Sequence, residues 1–344
     1  MLMAYSHHTS PTGLSDVLQK LATFATAQGW TVELQTNKDW TDTGGGVYGW
    51  TAGTHDFLEL VSNGYGNQDL QFRFYREYID ASEDFLEYTA IDPGAGAYDT
   101  SSTLPQLQDY WNDTSPYQGS WRRMSCPNTT TPDVWFVGND KFIAVHWKTA
   151  ATHVQSFAFG TIELLPELQD RNDLQFFWCG QKWDTSSQAN RLWSEADDPD
   201  NTLDWFNCFG YQLFVVTYSG IKWFHYKGVA TAFNTTAKQN LRYHTAVYDD
   251  DPGDPVGAMV DFNIYKDCCV YNSFTQKRVL MKPTMFIKNP NNDGTFITMG
   301  HQPAYYLNVD GLVPGDILEM GNEEYICFPA FLTNNVYGVA YRVV

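Results

Sequence analysis

Alternation of apolar and polar positions runs through most of this chain, and one stretch departs from it. Between residues 11 and 28, Leu14, Val17, Leu18, Leu21 and Ala25 recur at intervals of three and four, which predicts a single amphipathic helix. Gly29 is placed to end that helix. Ser10 or Thr12 is expected to cap its start, and Pro11 sits where a missing amide hydrogen costs nothing. Trp30 to Leu34 alternates and predicts a strand.

The period of two then continues, punctuated by turn residues. Phe57 to Val61 and Leu70 to Tyr75 flank the polar run Asn63 to Asn67, the pattern of two antiparallel strands and their turn. Val134 to Val137 and Phe142 to Trp147 flank Gly138-Asn139-Asp140 in the same way, and Ser156 to Leu164 is expected to extend that sheet. Asp316 to Met320 and Tyr325 to Phe328 are joined by Gly321-Asn322, a two-residue hairpin signal, and Val336 to Val344 predicts a closing strand. The fold class expected is mainly β, with antiparallel sheets in sandwich or barrel-like modules and one N-terminal α-helix.

Breaks in the pattern suggest where modules meet. Residues 92 to 118 are rich in Gly, Ser, Asp, Thr and Pro, and predict a long loop or boundary. Ser194 to Asn201 and Asp249 to Asp254 read as further surface loops, the second preceding an apolar run from Met259 to Tyr265. The organisation expected is an N-terminal helix plus β module over 1–115, a central aromatic-rich β module over 116–277, and a small C-terminal β module over 278–344. No period of 20 to 50 residues repeats, which argues against a solenoid or propeller.

Composition sharpens this reading. With 344 residues, 43% hydrophobic and 16% aromatic, the chain has ample apolar surface for folded modules. Nine of the 12 Trp residues fall between Trp111 and Trp223, marking the centre as the largest aromatic core or the main contact surface. A net charge of -19 repels phosphate backbones, so nucleic acid is not an expected partner. Cys126, Cys179, Cys208, Cys268, Cys269 and Cys327 form no CxxC spacing and read as reduced core residues of a chain made in a cytosol. No basic leader and no continuous apolar run of membrane-spanning length is present, so neither export by a signal peptide nor membrane insertion is expected.

Signals for chemistry are sparse. Asp197, Asp198, Asp200 and Asn201 form one oxygen-rich loop and Asp249, Asp250, Asp251 and Asp254 another. Neither has the spaced acidic loop with a trailing Glu that calcium sites use, and both read as solvated turns. His146 and His153 stand seven apart, yet no HExxH and no nearby cysteine completes a zinc site. Gly44-Gly45-Gly46 runs into Val47-Tyr48 and not into a phosphate-binding helix N-terminus. No GxSxG or GxxxxGK[ST] occurs. Acidic pairs suited to glycoside hydrolysis are abundant only because acids are abundant. Trp178, Trp183, Trp193, Trp205 and Trp223 lie around polar loops and are the candidates for stacking on sugar rings. The expectation is a protein with no catalytic, cofactor-binding or metal site.

Several segments resemble virion structural proteins of tailed bacteriophages, particularly those associated with the tail and baseplate. They are the helix end Gln28-Gly29-Trp30-Thr31-Val32; Trp135 to Asp140 with Ile143 to His146 and Phe157 to Gly160; and Gly315 to Leu318 through Gly321 to Pro329 and Gly338 to Arg342. After Gly160 the chain departs from that pattern, with Glu163 to Leu168 in place of a strand and a Tyr-Pro pair. The resemblance implies a non-enzymatic tail, baseplate or neck subunit, made in the host cytoplasm and built into the virion as a homo-oligomer. Its partners would be other virion proteins and copies of itself. The second reading is a carbohydrate- or receptor-binding virion module whose partner is a host surface glycan.

Overall fold

Leu14, Val17, Leu18, Leu21 and Ala25 wind onto one buried stripe of α1 (Leu14–Ala27). The structure, a computed structural model, describes residues 1–45, 47–65, 70–78, 84–91, 122–126, 133–150, 153–161, 163–169, 177–184, 189–192, 257–258, 270–282, 284–288, 296–301, 303–329 and 337–344. The start of α1 differs from expectation. Gly13 occupies the N-cap, no side chain caps the helix from there, and Asp16 accepts instead from the Thr12 amide at 2.9 Å. A carboxylate in the first turn lies favourably in the helix dipole and ties back the residue preceding the cap. The helix end is as expected. Trp30 N–H donates to Ala25 O and Gly29 N–H to Thr26 O, both at 3.0 Å, with Gly29 at φ 87, which closes a Schellman motif.

Along the chain, β1 (Ala4–Thr9) precedes α1, and β2 (Thr31–Gly44), β3 (Val47–Ser62), β4 (Leu70–Tyr78), β5 (Asp84–Ile91) and β6 (Arg122–Cys126) follow as an antiparallel five-stranded sheet in sequence order. The central sheet comes next, with β7 (Asp133–Gly138), β8 (Phe142–Ala150) and β9 (His153–Gly160). After them lie β10 (Glu163–Leu164), β11 (Phe177–Asp184), β12 (Ala189–Leu192) and β13 (Gly257–Ala258). The C-terminal third holds β14 (Tyr271–Asn272), β15 (Lys277–Arg278), β16 (Thr284–Lys288) and β17 (Phe296–His301). It ends with β18 (Tyr305–Asn308), β19 (Asp316–Met320), β20 (Glu323–Pro329) and β21 (Tyr337–Arg342). The fold is thus mainly β, in antiparallel sheets, with one α-helix among the described residues.

Pairing joins segments far apart in sequence. The central sheet runs β1-β7-β8-β9-β11-β12, so the N-terminal strand lies in the same sheet as residues 133–138, across the expected boundary at 115. β6, from beyond that boundary, instead edges the N-terminal sheet beside β5. Ser156 to Leu164 does not form one strand as expected. β9 stops at Gly160, and β10 pairs with β17 in a separate sheet, Leu164 opposite Gly300. Alternation marks residues that favour strands but not the neighbour each strand chooses. Residues 92–118, 194–201, 249–254 and 259–265 lie outside the described residues.

Both faces of β7, β8 and β9 in the central sheet are buried. Val134, Phe136, Ile143, Val145, Trp147, Phe157 and Phe159 meet α1, Trp30, and Leu58, Leu60, Phe72, Phe74 and Leu86 of the N-terminal sheet in one apolar core. The alternate residues Trp135, Phe142 and His146 face the C-terminal sheet β18-β21-β20-β19 and meet Phe328 and Tyr341. Along β7, β8 and β9, side chains therefore serve one interface or the other by parity. Among the described residues, no helix is long and apolar enough to cross a membrane.

Candidate functional site

Register sets the best-defined polar centre. His146 lies opposite Ser156 in the β8–β9 ladder, so both side chains leave the same face of the central sheet, the face that β20 and β21 cover. His146 Nδ1 lies 2.9 Å from Ser156 Oγ, and Nε2 lies 2.9 Å from Tyr341 Oη. The imidazole stacks on Phe328 with 3.9 Å between ring centroids and 4° between planes. A neutral imidazole donates at one nitrogen and accepts at the other, and the two hydroxyls can serve either role.

Burial governs what this centre can do. His146 is 1% exposed, and its removal from water pushes its pKa from 6.5 down to about 3. Ser156 is buried as well. A serine beside a histidine is the raw material of a nucleophile, but an imidazole that weakly basic takes no proton near neutrality, and both groups are sealed between two sheets. The same two hydrogen bonds occupy both ring nitrogens, so His146 has no lone pair to spare for zinc. His153, seven residues further on, lies in β9 opposite Ala150. Among the described residues, no cluster of His, Cys, Asp and Glu is arranged to hold a metal ion. Cys327 is a buried free thiol, its pKa pushed up to about 12 chiefly by burial.

Other polar groups tie strands together. Burial works to raise the pKa of Asp39, but bonds from the His55 ring and from the Thr54 and His55 amides prevail and hold it low. That carboxylate fastens the irregular stretch of β3 onto β2. In Glu163 burial is likewise outweighed, by Lys282 and the Met1 ammonium, which bond to its two oxygens. Arg76 reaches Asp56 at 3.0 Å across the N-terminal sheet, where Asp56 is fully buried. Ser62 donates to the carbonyl of Asp140, which joins the end of β3 to the turn between β7 and β8.

The second candidate is a protruding hairpin that no sequence expectation covers. β14 and β15 pair as a two-stranded ribbon, and Asn272 Oδ1 builds their turn by accepting from the amides of Phe274 at 3.0 Å and Thr275 at 3.1 Å. Gln276 takes a left-handed φ of 57 and accepts from Tyr271 Oη at 2.7 Å. Arg278 lies 4.0 Å from the Tyr271 ring centroid, and its guanidinium donates to the carbonyls of Asn308 and Asp310. The base is therefore anchored to the C-terminal sheet while Phe274 at the tip is 98% exposed. One sequence signal does mark it: an aromatic between Ser273 and Thr275, followed by Lys277 and Arg278, in a strongly acidic chain.

No protein-family model and no curated protein matches this chain. Its function rests on what its own residues can do. Both acidic loops, 197–201 and 249–254, lie outside the described residues, as do Trp193, Trp205 and Trp223. Trp178 and Trp183 are placed in β11. Of the glycine run, Gly44 closes β2 and Gly45 lies in the turn to β3, with no helix following. The sites brought together in space are thus a sealed hydrogen-bonded node and an exposed aromatic finger.

Proposed function

We propose that this chain is a structural subunit of a tailed-phage virion, a tail, baseplate or neck component that acts by binding other proteins and copies of itself. It carries out no catalysis in this reading, and its place of action is the particle. The observation that carries the proposal is how apolar surface is used. Strands β7 to β9 of the central sheet spend both faces on internal interfaces, while a large aromatic, Phe274, is held out in solvent by a turn constructed around it. Aromatic side chains are enriched among the anchors of protein–protein contacts. The sheet-rich build and the sequence resemblance supply the virion setting.

The test is the particle itself. Quantitative mass spectrometry of purified virions from cells expressing this chain should find it in a fixed multiple of copies, and cryo-electron microscopy should locate it in the tail region. Its absence from purified particles, or turnover of a small molecule by the isolated chain, would overturn the proposal.

A further inference from the structure

Charge is unevenly distributed over the C-terminal third. From Val270 to Lys282 the chain has Lys277, Arg278 and Lys282 and no acid, whereas from Asp310 to Glu324 it has Asp310, Asp316, Glu319, Glu323 and Glu324 and no base. Lys282 is consumed by Glu163. Lys277 stands exposed beside the Phe274 tip. Opposed to it in sign is the edge of the C-terminal sheet. Among the described residues β19 is the last strand of that sheet, its one ladder partner being β20, and Ile317 and Glu319 alternate on its exposed face. Val313, just before it, is exposed as well.

We infer that the Phe274 hairpin of one copy docks on the β19 edge of a second copy, Phe274 against Val313 and Ile317, and Lys277 against Glu319. Three observations select a second copy of this chain as occupant. Each surface carries the sign the other lacks, each offers exposed apolar groups beside its charge, and the edge strand presents backbone N–H and C=O groups of the kind a further chain can pair with. A chain of net charge -19 repels itself in general, so an attractive contact has to be local, and the basic hairpin supplies it. Seating both surfaces reciprocally closes a two-fold dimer, and seating them head to tail builds a ring. This inference goes beyond the virion reading and stands without it.

Sedimentation velocity of the full chain over a concentration series, at low and high salt, tests the contact. The wild type should self-associate, more weakly as salt screens the charges. Phe274→Ser, Lys277→Glu and Glu319→Lys should each weaken association about tenfold or more, and the double variant Lys277→Glu/Glu319→Lys should recover it. The substituted positions are all exposed, and unchanged near-ultraviolet circular dichroism confirms that the variants fold. A wild type that stays monomeric at every concentration overturns the inference, as does self-association that the three single changes leave untouched. A chain that self-associates in this way but is missing from purified particles keeps this inference and loses the virion reading.

Discussion

His146 sets a pH dependence whose sign can be worked out. Burial holds its pKa near 3 in the folded chain against 6.5 in the open chain, and what faces it is Ser156, Tyr341 and Phe328, none of them charged. Between pH 6.5 and 3 the unfolded state takes up a proton that the folded state refuses. Stability is therefore full above 6.5 and falls as the pH drops through that window, by on the order of 1 kcal/mol per pH unit. Urea unfolding at about pH 7, 6 and 5 should show this slope, and His146→Gln should flatten it relative to the wild type; equal slopes for both proteins would refute the assignment. Tyr341→Phe removes the partner of Nε2 and leaves a buried ring nitrogen unpaired, at a cost of about 1–3 kcal/mol, read from the shift of the urea midpoint. Half of this centre is legible in the sequence. His146 is noticeable there, weighed and set aside as a zinc ligand, but its partners lie 10 and 195 residues away, and only pairing and packing bring them to it.

Elements that carry their own signal are the ones the amino-acid order reveals. α1 is legible because its apolar stripe and its Gly29 terminus are local, and the β7–β8 hairpin because Asn139 Oδ1 accepts from the Lys141 and Phe142 amides inside the turn itself. The seat of the C-terminal sheet is not legible. Gly315, at φ 88, passes so close to Trp135 that a Cβ there would lie 2.6 Å from the indole Nε1. Gly315→Ala should thus strain the backbone and push the loop off Trp135, costing about 1–3 kcal/mol, with quenching or shift of Trp fluorescence as a second readout. A Gly315→Ala protein as stable as the wild type would mean that this close approach does not hold the layers together. Gly311 and Gly321 also have positive φ, but a Cβ there would meet nothing within 4 Å, so alanine at either position controls for the conformational part of the effect.

At the scale of the whole molecule, the central sheet is the layer against which both the N-terminal and the C-terminal sheets pack. Its amides from Ile143 to Trp147 and Phe157 to Phe159 should be the slowest to exchange with solvent, opening only with global unfolding, while those of the β14–β15 ribbon exchange fastest. Hydrogen exchange read by mass spectrometry checks the order, and equal rates in the two regions would defeat the layered account. Parity of apolar residues, local turn chemistry and net charge are properties of neighbouring positions or of simple sums. For that reason the amino-acid order alone determined that this chain is β-rich with one amphipathic helix, where its clearest hairpins turn, and that it is acidic. Which strand pairs with which, the burial of His146 between hydroxyls from distant strands, and the projection of Phe274 into solvent depend on contacts between residues remote in sequence. Only the tertiary structure decided them, because alternation assigns a side chain to a face and leaves open what that face will meet.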